Sequence, residues 1–166
     1  FSETYLLQEN YDTNLDSVGV GDWIDGGAGD DQIFGQAGDD EIIAGSGQDI
    51  VIGGQGNDYI DIGNGDDNEG DSLVYHSTLD GHDLIYGFDN EDTLTDISDT
   101  VDLSKLFDSL GVANDAVLRE SVVDLSQSGS DVVLTLPTLP SAANFSITFI
   151  NSANNSVSAF TIHNEF

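Results

Sequence analysis

A nine-residue period runs through the first half of this chain and leaves few folds open to it. Residues 26 to 70 divide into five consecutive blocks, GGAGDDQIF, GQAGDDEII, AGSGQDIVI, GGQGNDYID and IGNGDDNEG, and a looser block, SVGVGDWID, precedes them at 17–25. Position six is aspartate in all six blocks: Asp22, Asp31, Asp40, Asp49, Asp58 and Asp67. Position four is glycine in the five stronger blocks, and position eight is Ile24, Ile33, Ile42, Val51 and Ile60 before it fails at Glu69. Self-similarity at a fixed period is the mark of a solenoid, whose units are too small to bury an apolar residue alone and must stack.

Each block reads as a turn followed by a strand. Glycines admit positive φ and close backbone approach, so the first six residues turn. The triplet that follows, with its β-branched centre, is a short strand with one side chain inward. Two blocks make one coil, so successive turns alternate between two edges. One edge then carries Asp22, Asp40 and Asp58, and the other Asp31, Asp49 and Asp67, around an interior of Ile24, Ile33, Ile42, Val51 and Ile60.

Stacked turns lie about 4.8 Å apart, and carboxylates at that spacing repel strongly. A hard divalent cation between them reverses the sign, and backbone carbonyls at the glycine positions can complete about 6–8 oxygen ligands. Calcium suits such a set better than magnesium, which keeps its waters and demands an octahedron. The pairs 22/40, 40/58, 31/49 and 49/67 predict four cradles, hence at least four Ca2+. Turn formation alone would need neither six carboxylates in register nor the charge of this chain, which has 32 acidic residues, 2 basic ones and a formal net charge of −30. Aspartate outnumbers glutamate 25 to 7, which favours short side chains held near a backbone over mere solubility.

The same charge excludes partners. With only Lys105 and Arg119 as cations, the chain has no basic patch for nucleic acid or an anionic membrane surface. Regularly spaced Ile, Val, Leu, Phe and Tyr argue against an acidic disordered tail. The absence of cysteine excludes disulfides, thiol catalysis and cysteine-based zinc sites. No apolar run approaches the ~18 residues of a membrane span. No N-terminal signal peptide is read, and Phe1 is expected to lie inside a longer chain with neighbouring domains.

The blocks at 17–70 resemble the repeats-in-toxin family. That resemblance implies a parallel β-roll with calcium between adjacent turns. It makes the six position-six aspartates side-chain ligands, and offers carbonyls at Gly27, Gly29, Gly38, Gly45, Gly47, Gly54, Gly56, Gly63 and Gly65. Departures are Gln36 at position two, Ala44 and Ile62 at position one, and the loose first block. A carbonyl ligand does not depend on its side chain, so Gln36 need not abolish a site.

The nine-residue period stops at 71. Residues 83–111 read as a strand (Leu84–Phe88), an acidic turn, extended chain and a short helix from Ser104 to Leu110, whose Leu106, Phe107 and Leu110 share a face with Leu103 and which Gly111 stops. This stretch resembles the segment that closes the β-roll in exported members of the family, through Asp83, Ile85 and Phe88 and then Asp99, Asp102 and Ser104. The resemblance makes Asp83, Asp89 and Asp92 further calcium ligands. Residues 117–136 read as a hairpin turning at Gln127–Asp131, and Asn144–Ile150 and Val157–His163 as two more strands. The expected fold is thus all-β, a parallel β-roll at 17–70 capped by a β-rich module with one short helix at 71–166. Trp23, Phe34, Ile43, Ile50, Ile52 and Tyr59 point outward, an apolar surface that residues 1–16 and the C-terminal strands are expected to cover in part.

Catalysis finds little footing. The histidines are His76, His82 and His163, with no zinc-protease motif. Gly70-Asp-Ser72-Leu matches the name motif of an esterase family but lies mid-chain without that family's second box. Glycosylation patterns at Asn144 and Asn154 are weak. The resemblance implies a non-enzymatic, calcium-folded module in a large exported bacterial protein, an adhesin at the cell surface. It implies export by type I secretion machinery that reads a C-terminal signal, and this piece is expected to be a monomer. Two alternatives stand: an accessory module of an exported enzyme such as a serralysin-type protease, lipase or alginate epimerase, and a glycan- or surface-binding module through Trp23 and Tyr59.

Overall fold

The computed structural model describes residues 19–63, 70–89, 99–113 and 115–150. The repeats give β1 (Trp23–Asp25), β2 (Gln32–Ala37), β3 (Glu41–Ile43), β4 (Ile50–Gln55) and β5 (Tyr59–Asp61). After them come β6 (Ser72–Val74), β7 (His82–Tyr86), β8 (Thr100–Asp102), α1 (Ser104–Ser109), α2 (Ala116–Val122), β9 (Asp124–Ser128), β10 (Asp131–Thr135) and β11 (Ser146–Phe149). Alternate strands fall on opposite sides of a flattened coil. One sheet has the order β1-β3-β5-β7-β11-β10-β9 and the other β2-β4-β6-β8. Within the coil every pairing is parallel: Ile24, Ile42, Ile60 and Ile85 are register partners on one side, Ile33, Val51, Leu73 and Val101 on the other. All but the half-buried Val101 are buried, so the two inner rows meet as a core one side chain deep from each sheet.

The sheets do not end where the nine-residue period does. Both sides of the roll continue past residue 70, through β6 and β8 on one and β7 on the other. What survives the loss of the glycine turn is a shorter pattern, aspartate followed two residues later by an apolar residue of the inner row: Asp71 and Leu73, Asp83 and Ile85, Asp99 and Val101. The strand expected at Leu84–Phe88 accordingly begins two residues earlier, at His82, because Gly81, His82 and Asp83 re-enter the turn register at positions four, five and six.

Backbone contact sets the stacking. A Cβ at Gly56 would run into the carbonyl oxygen of Gly38, one coil away, and a Cβ at Gly81 into that of Gly56. Both glycines also have positive φ, 143° and 76°. Gln36 holds φ 77° with a full side chain, a strain of about 1–2 kcal/mol that the paired β2 and β4 hold in place. Ala44 and Ile62, departures at position one, are wholly buried and join the core.

The cap differs in part from the reading of its sequence. Helix α1 forms as expected, with Leu106 and Phe107 buried and Gly111 following at φ 68°. The hairpin arm expected from 117 is instead helical to Val122, since Asp115 caps it by accepting the N–H of Leu118. Among the described residues two α-helices therefore stand where one was expected. Arg119 leaves α2 to lie over the Phe107 ring, 5.2 Å from its centre, and to donate to Asp108 at 3.1 Å. Strand β11, with Phe145, Ile147 and Phe149 buried, pairs in parallel with β7 and antiparallel with β10. It lengthens the sheet instead of covering its outer face. Trp23 is 63% and Phe34 49% exposed, Ile50 and Tyr59 are exposed, and Ile43 and Ile52 are half-buried. Residues 1–16 and the expected strand Val157–His163 lie outside the described residues.

Gly56, at φ 143° and stacked on a carbonyl, and Gly129, at φ 68° in the open, contrast a packed turn glycine with a free one. Gly56→Ala meets both a positive φ and a carbonyl, and is expected to lower stability in calcium by about 3 kcal/mol or more. Gly129, at φ 68° in the β9–β10 turn, has nothing within 4 Å of an added Cβ, so Gly129→Ala should lose only about 1 kcal/mol. Urea unfolding of the two variants measures the difference; equal losses would sink the stacking argument.

Candidate metal centre

The aspartates that precede each strand form two ladders. On one edge the N–H of Asp22 donates to Asp40 Oδ1 at 2.7 Å, that of Asp40 to Asp58 Oδ1 at 2.9 Å, and that of Asp58 to Asp83 Oδ1 at 2.8 Å. On the other, Asp31 donates to Asp49 Oδ1 at 2.9 Å, Asp49 to Asp71 Oδ1 at 2.8 Å, and Asp71 to Asp99 Oδ1 at 2.9 Å. Asp89 joins the end of the second ladder, donating to Asp99 Oδ2 at 2.7 Å. Asp40, Asp58 and Asp83 on one edge and Asp49, Asp71 and Asp99 on the other thus each spend an oxygen holding the coil before them.

The structure brings together Asp22, Asp40, Asp58 and Asp83 as one set and Asp31 and Asp49 as part of the other. Gly65, Asp67 and Asp92 lie outside the described residues. The register place beyond Asp49 belongs to Asp71, whose Oδ1 accepts the Asp49 N–H; the expected 49/67 pair involves Asp67 and lies outside the described residues. Sequence reasoning passed over Asp71 and Asp99 as ligands because it followed the glycines. The aspartate-x-apolar pattern would have found both.

An outer ladder lies outside these two and runs the opposite way. Position-five side chains accept from the coil that follows: Asp30 from the N–H of Gln48 at 3.0 Å, Asp39 from that of Asn57 at 2.8 Å, and Asn57 from that of His82 at 3.0 Å. His82 Nδ1 also lies 2.8 Å from Ser146 Oγ on β11. His76 donates its backbone N–H to Asp80. Ser72 Oγ sits 2.9 Å from Thr100 Oγ1 across β6 and β8, a strand pair and not a nucleophile with its base.

The remaining carboxylate oxygens decide what the ladders can hold. Both oxygens of Asp31, and Oδ2 of Asp40, Asp58 and Asp83, are buried with no hydrogen-bond partner. Burial is the leading cause that raises these carboxyls above their ordinary 3.8, with neighbouring aspartates adding to it: Asp40 to about 6, Asp58 to about 7 and Asp83 to about 8, and Asp31 upward as well. Asp99 rises to about 7 for the same reason, against two backbone hydrogen bonds that pull it down. A carboxyl moved as far as Asp83 costs the fold on the order of 5 kcal/mol once ionised, set against a total stability of about 5–15 kcal/mol. Several such groups cannot all be charged in a metal-free roll at neutral pH.

A cation is what these atoms lack, and the turns provide the rest of a shell. Among the described residues no three His, Asp or Glu side chains gather closely enough to hold a metal by themselves. The ladder supplies one carboxylate per turn, so the other oxygens must come from peptide carbonyls. The turns carry Gly27, Gly29, Gly38, Gly45, Gly47, Gly54, Gly56 and Gly63 at positive φ, in close stacks that a Cβ would break at Gly38, Gly45, Gly47, Gly54 and Gly56. Unpaired anionic oxygens amid backbone carbonyls fit a hard, flexibly coordinated dication such as calcium. When bound, the ion would supply positive charge between neighbouring coils.

The raised carboxyls give a pH dependence of definite sign. Between 3.8 and about 8 the metal-free fold binds more protons than the unfolded chain, so its stability falls as pH rises through that window. In chelator, acidification from pH 8 to pH 5 should raise the folded, β-rich fraction. Asp58→Asn keeps the acceptor for Asp40 and removes the buried charge, so it should stabilise the metal-free protein at pH 8 and destabilise it in calcium. Circular dichroism of the folded fraction in chelator and denaturant titration in calcium measure both. An Asn variant weaker in both media would refute the assignment.

Comparison with known proteins agrees with this geometry. Residues 19–51, 35–69 and 77–95 match the family described as RTX calcium-binding nonapeptide repeat (4 copies). No curated protein matches the chain. Among solved structures, the chain is similar to the solution structure of the AlgE6R3 subunit from the Azotobacter vinelandii mannuronan C5-epimerase, with a TM-score of 0.54 and 22% identity over 81% of this chain and 74% of that one. The third family match falls on β7 and its flanks, where the stacking continues after the regular period has ended. Two parallel sheets, two carboxylate ladders and glycine turns packed backbone on backbone are one object: this chain carries a repeats-in-toxin calcium-binding β-roll.

Proposed function

We propose that this chain is a folding module whose switch is extracellular calcium, and that it serves the export and surface assembly of a large bacterial protein of the adhesin kind. The observation that carries the reading is the set of unpaired buried oxygens on Asp31, Asp40, Asp58 and Asp83. In the calcium-poor cytosol these groups and a net charge of −30 oppose collapse, which leaves the chain open for transport by type I machinery. Outside, ions bind between coils, and binding free energy becomes folding free energy. Stacked neighbours are 22/40, 40/58 and 58/83 on one edge and 31/49, 49/71 and 71/99 on the other, which supports four to six ions. No helix among the described residues is long and apolar enough to cross a membrane.

A second reading is favoured by the likeness to the epimerase subunit. There the same roll would be an accessory module that stabilises an exported enzyme and contributes no catalytic group of its own.

Circular dichroism during calcium titration tests the switch. The chain should be largely unfolded in chelator at pH 7.5 and become β-rich cooperatively at the 10⁻⁴–10⁻³ M typical of extracellular sites; full β content in chelator would end the proposal. The export role has a separate test. Residues 71–166 fused to a passenger should direct its secretion by a cognate type I system, and export unchanged without the segment would exclude that role.

A further inference from the structure

The edge built on Asp22, Asp40 and Asp58 does not repeat itself at its last step. At Gly35 and Gly53 an added Cβ would collide with Oδ2 of Asp40 and Asp58, so each carboxylate folds over the glycine that opens its own turn. Val51 and Leu73 are register partners, and two residues beyond them stand Gly53 and Tyr75. A phenol therefore occupies the stack that glycine holds below it. Its ring is buried and meets Phe145 of the cap edge-on, centroids 5.5 Å apart at 85°. Its hydroxyl is buried without a hydrogen-bond partner. It lies near enough to Asp83 to lower that carboxyl's proton affinity.

The rest of the turn is intact. Gly81 rests on the carbonyl of Gly56 as Gly56 rests on that of Gly38. The carboxylate of Asp80 is tied locally, accepting from the N–H groups of His76 and Ser77 and from Ser77 Oγ. What stays unpaired at this step is Asp58 Oδ2, Asp83 Oδ2 and the Tyr75 hydroxyl. A phenol can offer a lone pair to a cation while its proton turns to a carboxylate.

We propose that Asp58, Asp83 and Tyr75 form a cation site of a different make from the repeats, in which the Tyr75 hydroxyl is an oxygen donor and the Tyr75 ring ties the ion to the C-terminal cap. The inference rests on the calcium reading of the ladders. The site stands at the junction, because Tyr75 touches Phe145 and β7 pairs with β11. Its ion would report on both the roll and the cap.

Tyr75→Phe keeps the ring and deletes the donor. In calorimetric titration and native mass spectrometry of the whole chain, wild type should bind its full complement, and Tyr75→Phe should show one ion weakened about tenfold or more with the others unchanged. With terbium in place of calcium, luminescence lifetimes in light and heavy water should count additional bound water in Tyr75→Phe. Asp83→Asn is the second variant, and it should weaken the same ion. Identical ion counts, affinities and water counts in wild type and Tyr75→Phe would overturn the proposal while leaving the ladders standing. A wild type that binds no calcium would overturn the ladder reading itself.

Discussion

The interaction on which this fold depends is a peptide N–H held by the carboxylate of the neighbouring coil. It recurs along both edges, from Asp22 to Asp83 and from Asp31 to Asp99. It fixes register more finely than the core can, because a row of isoleucines and valines would tolerate a slip that a directed hydrogen bond does not. It also draws these carboxylates out of water and leaves the second oxygen of Asp40, Asp58 and Asp83 unpaired. Order and instability therefore have one source. A roll assembled this way is correct in geometry and wrong in charge until a cation arrives, and for that reason metal and fold are hard to separate in it.

The outer ladder complements the inner one. Position-five acceptors face the following coil while position-six acceptors face the preceding one. Each coil is thus held in both directions by side chains that never enter the core. The outer set is exposed and hydrated, so it carries little electrostatic cost. Burial is what separates two aspartates adjacent in sequence, Asp39 outside and Asp40 inside.

Much of this was legible in the sequence. The strict period gave the two edges, the inward row and the parallel pairing, since each follows from one residue type at one spacing. Legibility ended where the spacing did. Asp71 and Asp99 stand 22 and 28 residues from their partners in place of 18, and glycine turns no longer announce them. The helix at Ala116–Val122 was hidden for another reason. Its valines and serines read as strand, and only the capping geometry of Asp115 reveals that the local contest went to the helix. Tyr75 was invisible as anything but an apolar residue, because its meaning comes from standing in a stack of glycines.

The glycine stacks have a consequence for how such a chain can vary. Where backbone rests directly on backbone, the distance between coils is a ruler that no side chain can reset. The extra residues before Asp71 and Asp83 do not push the coils apart; β6 and β7 keep their partners. Before Asp83 the surplus is taken up in the stretch 75–82, with its 3-10 turn at Thr78–Asp80, and the sheet returns to step beyond it. Length can thus change at the edges of this roll without disturbing its pitch, while a single methyl group at a stacked glycine such as Gly56 cannot be absorbed.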